Sequence, residues 1–350
     1  MTAAVAVGIV GNDVPRQIVL TAGATPHRLT GSWSAPLAGE AIAHLGSVDP
    51  PAAAILTDLL GGAGPALDAI VVCNDSQANL RLFYVLRMLR GEGIPPVHLL
   101  DLPRQDSPAS RRFARAQLAA LTAFCEGVTG STPDAAAWRE AARQERAVGD
   151  AVARLQARRR AQPPEVGGTM ALTALLAAAS VPPAAAIELL DAAAEPRAGG
   201  VRVHVTGSNH PDPSVYAAVE ASGATIVSDD HDTGDLSWLG AAVDAPDADA
   251  VHAGLVDAHF ARSTGSAVAT IAERATTTRA MAVAAHADVV LALVRQGDEA
   301  PLWDLAATGD ALAGAGIALH RSVGITAEGL DEAVARAVAG VTGGTEEHHA

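Results

Sequence analysis

Several stretches of this sequence gather side chains that can do chemistry, and each follows a run of apolar, mostly β-branched residues. Behind residues 69–72 stands Cys73-Asn74-Asp75-Ser76: a thiol, an amide, a carboxylate and a hydroxyl just before a helical pattern over residues 80–90. In an open parallel sheet, ligands bind outside the carboxyl ends of the strands. The simpler reading is that Asp75 or Ser76 caps the next helix and that Cys73 is an inert strand-end thiol. Behind residues 225–227 stands Ser228-Asp229-Asp230-His231-Asp232-Thr233-Gly234. Carboxylates and an imidazole this close can move protons or bind a metal ion, against a structural or capping role. Thr206-Gly207-Ser208-Asn209-His210 lacks both the GxGxxG and the P-loop pattern, so a nucleotide site has little support. His259 to Arg262 with Ser263 and Thr264, and Arg295-Gln296-Gly297-Asp298-Glu299, lie at expected site edges, where a helix cap and a solvated loop are the plain alternatives.

Short apolar runs alternating with helical spacing are the βαβ signature of parallel sheets. The candidate strands are residues 18–20, 68–72 and 97–100 in the first half, and 201–205, 225–227, 289–293 and 317–319 in the second. The fold class is therefore α/β: two similar domains with mostly parallel sheets flanked by helices, joined by a helical connector. The expected boundaries are an N-terminal domain over residues 1–132, the connector over 133–194, a C-terminal domain over 195–341 and a frayed tail over 342–350. A helix over residues 135–160 ends on Arg158-Arg159-Arg160, which reads as a solvated cationic terminus favoured by the helix dipole, and Pro163-Pro164 stops it. Ala114, Leu118, Leu121 and Cys125 share one helical face, which makes Cys125 a core residue.

With 49% hydrophobic residues in a 350-residue chain, disorder is excluded as the dominant state. A formal charge of -15 argues against a phosphate backbone or an anionic membrane as partner. Two cysteines cannot build a disulfide framework or a four-thiolate metal site. The apolar residues 1–10 are too short to span a bilayer and no other stretch is expected to span one, so the expectation is a soluble, cytoplasmic protein in a reducing compartment.

In their order, these segments resemble the D-component family of 2-hydroxyacyl-CoA dehydratases and benzoyl-CoA reductases. The resemblance spans residues 17–341 and rests on 18–26, 68–76, 80–87, 100–104, 113–130, Thr206-Gly207, 227–230 and Thr233-Gly234. It implies two similar α/β domains, a heterodimer of related subunits, and a [4Fe-4S] cluster held by three cysteines between the domains. It also implies an ATP-dependent activator protein that injects one electron, so that an acyl-CoA thioester passes through a ketyl radical. At the three cysteine positions this chain carries Asp49 before Pro50, Asn74 before Asp75 with Cys73 one place early, and Gly297 before Asp298. Carboxylate and amide groups are poor substitutes for thiolates on iron–sulfur clusters, so no cluster or other metal is expected on this chain alone. The resemblance then implies a paralogous, cysteine-bearing partner subunit that can hold the cluster. It also implies a former cluster pocket marked by Asp49, Cys73, Asn74, Asp75, Ser76, Gly297 and Asp298. Thr25, Asp229, Asp230, His231 and Ser263 are the candidates for the acyl-CoA side. A structural pseudoenzyme, or a redox-neutral enzyme using Asp229, Asp230 and His231, are the alternatives.

Overall fold

The computed structural model describes residues 5–342 apart from 47, 92, 198 and 263–268. The chain opens β1 (Ala6–Val10), α1 (Arg16–Thr21), β2 (Thr25–Arg28), α2 (Gly39–Leu45), α3 (Pro50–Gly61), β3 (Ala69–Cys73), α4 (Gln77–Met88), β4 (Val97–Leu100) and α5 (Pro108–Thr129). Three helices follow: α6 (Ala135–Arg160), α7 (Gly168–Ala178) and α8 (Pro183–Ala192). The remainder runs β5 (Arg202–Gly207), α9 (Ser214–Ala221), β6 (Thr225–Asp229), α10 (Ala248–Ala261), α11 (Ile271–Ala284), β7 (Val289–Arg295), a 3-10 turn (Ala300–Asp304), α12 (Leu305–Ala313), β8 (Ala318–Ile325) and α13 (Leu330–Thr342).

Two compact units result, one of residues 1–151, 177–188 and 238–262, the other of residues 152–176, 189–237 and 263–350. Each holds a four-stranded, all-parallel sheet, ordered β2-β1-β3-β4 in the first and β6-β5-β7-β8 in the second. Helices flank both sheets, which is the α/β class read from the sequence. In both orders the chain direction reverses beside the first strand, so the switch points lie between β1 and β3 and between β5 and β7.

Burial on both faces explains the unbroken apolar runs. Val7, Ile9, Ala69, Val71 and Cys73 pack on one side of the first sheet with residues of α1, α5 and α10. Val10, Ile70 and Val72 pack on the other with residues of α2, α3 and α4. That alternation is the two-residue period of a strand with no face left to water. Helix α5 starts at Ser107, whose hydroxyl accepts from Ser110 N at 3.0 Å, and stops at Gly130 in the left-handed region (φ +69). Its Ala114, Leu118, Leu121 and Cys125 are all buried, as their spacing implies.

Three expectations need correction. Residues 18–20 are helical and lie within α1, while the first two strands are β1 and β2. A three-residue apolar run cannot separate a strand from a buried helical turn. Second, Arg158-Arg159-Arg160 is not a solvated helix end, because Arg159 is 1% exposed and ion-paired. Third, the last strand extends well beyond residues 317–319, to Ile325. No helix among the described residues is long and apolar enough to cross a membrane.

Candidate functional site

The switch point of the first unit is built by the loop after β1. Gly11 has φ +89, and a Cβ there would lie 2.4 Å from Asp75 Oδ2 and 2.6 Å from Cys73 Cβ, so only glycine admits this turn. The turn aims two amides across the switch: Asn12 N donates to Asp75 Oδ2 at 2.8 Å, and Asp13 N to Cys73 Sγ at 3.2 Å. Asn79 Nδ2 donates to the other oxygen of Asp75 at 2.7 Å, while Ser76 Oγ accepts from Asn79 N at 3.1 Å and caps α4. The cap is therefore Ser76, and Asp75 ties the β1 loop to the end of β3. Asn74 Nδ2 donates to Asp101 Oδ1 at 3.0 Å.

Asp13 is the electrostatic centre of this end of the sheet. Arg104 Nη2 reaches both of its oxygens at 2.6 and 2.5 Å, and Arg262 Nη2 donates to Oδ1. Burial raises the carboxyl, but Arg104 and Arg262 outweigh it and hold Asp13 below the usual range. Nearby, His259 Nε2 lies 2.8 Å from Pro103 O, which can only accept, so Nε2 carries the proton. Burial first, then Arg262, pushes His259 down to about 4 and keeps it neutral.

Cys73 is fully buried, and burial together with Asp75 and Asp13 pushes its thiol well above the ordinary range. Cys125 is buried on α5 and its thiol is pushed up to about 12 by burial. A three-thiolate iron–sulfur cluster does not fit these residues: two thiols exist, both packed in one core, and carboxylates beside Cys73 disfavour its thiolate. Asp49 precedes α3 without a side-chain cap bond, and Thr25 sits at the amino end of β2, on the opposite rim of the sheet from Cys73.

The second unit finishes its switch point differently. Gly207 (φ +109) ends β5 against β7, where a Cβ would lie 2.5 Å from Leu293 O. Ser208 N donates to Leu293 O at 2.9 Å, Arg295 N donates to Ser208 Oγ at 3.0 Å, and the Arg295 guanidinium donates to Asn209 O. Gly297 makes the turn after β7 at φ +90, and Asp298 Oδ2 stands 3.9 Å from Arg295 Nη2. Ser263 lies outside the described residues.

Asp229 and Asp230, adjacent in sequence, turn to different partners, with His231 touching both. Arg159 Nη1 donates to Asp229 at 2.7 Å and to Asp235 at 3.1 Å, and Arg160 Nη2 to Asp235 at 2.9 Å. Asp229 Oδ1 also accepts from His231 N and Asp235 N. Although burial raises it, Arg159 and these partners hold the Asp229 carboxyl far below its ordinary value, whereas burial and the Asp229 charge push Asp235 up. This is a buried structural lock.

Asp230 instead turns to a cleft at the carboxyl ends of β5 and β6, lined by Thr206, Gly207, Arg274, Thr278, Asp304 and Thr308 among others. Its Oδ2 accepts from Thr206 Oγ1 at 2.8 Å and from Thr278 Oγ1. Behind it, His204 Nε2 and His231 Nε2 stand 3.8 and 4.0 Å from its two oxygens. The far ring nitrogens are held by Ser228 Oγ at 2.8 Å and Tyr216 Oη at 3.0 Å. Although burial raises it, its hydrogen-bonding and charged neighbours, His204 first, hold the Asp230 carboxyl below the usual range.

Sequence reading missed Asp13, Arg159, His204, Arg274 and Thr278. Placing a strand over residues 6–10 is the signal that exposes Asp13, since it makes Gly11-Asn12-Asp13 a strand-end loop. No local signal marks Arg159 or Thr278, whose partners are 70 and 48 positions away.

No curated protein matches the sequence. The model of the family described as 2-hydroxyglutaryl-CoA dehydratase, D-component, matches residues 12–321, from the β1 loop through most of the second unit, and the chain belongs to that family.

Proposed function

We propose that the chain is a cluster-free subunit of a 2-hydroxyacyl-CoA dehydratase-like or benzoyl-CoA reductase-like complex. It pairs with a paralogous subunit that carries the cysteines and the [4Fe-4S] cluster, helps form the acyl-CoA pocket, and depends on an ATP-dependent activator protein for electrons. The observation that carries this reading is the state of Cys73. It stands one place from the position where the resemblance puts a cluster ligand, yet its sulfur accepts the Asp13 amide at 3.2 Å and its thiol is pushed up by burial first and then by two carboxylates. Family membership supports a dehydratase-like subunit. In this reading Asp49, Cys73, Asn74, Asp75 and Ser76 of the first unit, and Gly297 and Asp298 of the second, mark the former cluster positions, and Asp230 is the foremost of the acyl-CoA candidates.

The test is anaerobic co-purification of the full chain with its cysteine-bearing paralogue, followed by a dehydration assay with the activator protein and ATP. The expected result is a stoichiometric complex whose activity needs both subunits. A partner subunit that is fully active without this chain, or a failure of the two to associate, contradicts the proposal.

A further inference from the structure

The Asp13 site of the first unit carries one more positive charge than its own residues balance. Arg104 Nη2 spans both Asp13 oxygens and Arg262 Nη2 donates to Oδ1, so two guanidinium groups converge on one carboxylate. The acids acting most strongly on Arg262 are Asp13 and then the Cys73 thiol, which burial keeps protonated. His259 adds no charge, since it is neutral with its Nε2 proton turned to Pro103 O. Among the described residues, neither arginine finds an acceptor for Nε or Nη1, and Arg104 Nε is buried without one. Each arginine side chain keeps 14% of its surface open to solvent, while the Asp13 side chain keeps 4%. The rim therefore presents donors and a positive excess, and its one carboxylate is already spent.

Guanidinium forks match carboxylate and phosphate groups. The hollow that Asp13, His259 and Arg262 line together with apolar residues encloses only about 10 Å³, room for one water, so the organic tail of a carboxylate has no place in it. What is left for a ligand is the open edge of the two guanidinium groups. A carboxylate offers two oxygens in one plane. A phosphate group sets three or four acceptors around a tetrahedron, enough for two separate forks, and brings more than one negative charge at pH 7. From this match we infer that the strand-end rim of the first unit binds a phosphate group on Arg104 and Arg262. The site needs neither the iron–sulfur cluster nor a thioester, so it stands apart from the dehydratase reading.

The test is calorimetric titration of the full chain at pH 7, in a buffer free of phosphate and sulfate, with sodium phosphate, methyl phosphate and sodium chloride. The expected result is saturable 1:1 binding of phosphate and none of chloride over the same range. Methyl phosphate bound as tightly as phosphate assigns a phosphomonoester ligand, and its exclusion assigns the free ion; both support the site. Arg262→Gln should weaken phosphate binding about 10- to 100-fold, the loss of charge-assisted hydrogen bonds. Arg262→Lys and Arg104→Lys keep Asp13 paired while removing a fork, should each weaken binding about tenfold, and serve as the test if Arg262→Gln fails to fold. The site is overturned if the folded native chain does not bind phosphate or if chloride binds as tightly. It is overturned equally if the folded arginine variants bind phosphate as the native chain does, which would mean an adventitious ion only.

Discussion

The two units lay four parallel strands in the same order, yet they partner the carboxylates at the ends of those strands with different groups. In the first, a carboxylate at the strand end, Asp13, is over-neutralised by Arg104 and Arg262. In the second, the strand-end carboxylate Asp230 accepts from Thr206 and Thr278 and has the imidazoles of His204 and His231 behind it, while Arg159 is committed to Asp229 and Asp235. One topology thus answers a strand-end carboxylate with guanidinium groups in one unit and with hydroxyls and imidazoles in the other. The difference lies partly in loop and helix residues, Asp13, Arg104, Arg262 and Thr278, and partly in the strand residues His204 and Thr206 of β5.

The contrast is sharpest at Arg159. Arg159→Met removes the partner of a buried carboxylate and should destabilise the second unit by about 3–5 kcal/mol, read from denaturant unfolding. An equal loss in the first unit contradicts the separation of the two networks. Next, Asp13→Ala leaves two guanidinium groups facing each other, and about 2–3 kcal/mol of the first unit's stability should go.

A pH dependence should separate the units as well. The folded pKa of His259 is lowered to about 4 against about 6.5 in the unfolded chain, so unfolded chains bind the proton more readily. Its neutral state contributes fully above pH 6.5, and stability falls as pH drops from there toward 4, by up to about 3 kcal/mol. Thermal melts over that range should show the slope, and His259→Gln should flatten it. Asp13 has the lowered carboxylate sign, so its contribution is kept above about pH 4 and lost only below that. The smallest effect is Ser76→Ala, about 1 kcal/mol for a lost helix cap, measured by unfolding of the first unit.

Much of the architecture is legible in the sequence because buried parallel strands write themselves as apolar runs. β3, β4, β5, β6 and β7 are found that way. β1 is not, since Gly8 interrupts it and it stands at the chain start, and with it goes the loop that carries Asp13. The charged networks are less legible for a different reason. Asp13 meets Arg104 across 91 positions and Arg262 across 249, and Arg159 meets Asp229 across 70. Nothing local distinguishes these arginines from solvated ones. Asp229 and Asp230 teach the converse: adjacency suggests a shared site, but neighbours at a strand end point to opposite faces, and the pair divides between a lock and a cleft.

The most direct test of the cluster-free subunit is iron and acid-labile sulfide quantification under anaerobic conditions, on the isolated chain and on its complex with the paralogue, each with Cys73 and with Cys73→Ser. The predicted result is no iron or sulfide on the isolated chain, and iron and sulfide in the complex at a level that Cys73→Ser leaves unchanged. Iron and sulfide on the isolated chain, or their loss from the complex on Cys73→Ser, would contradict it.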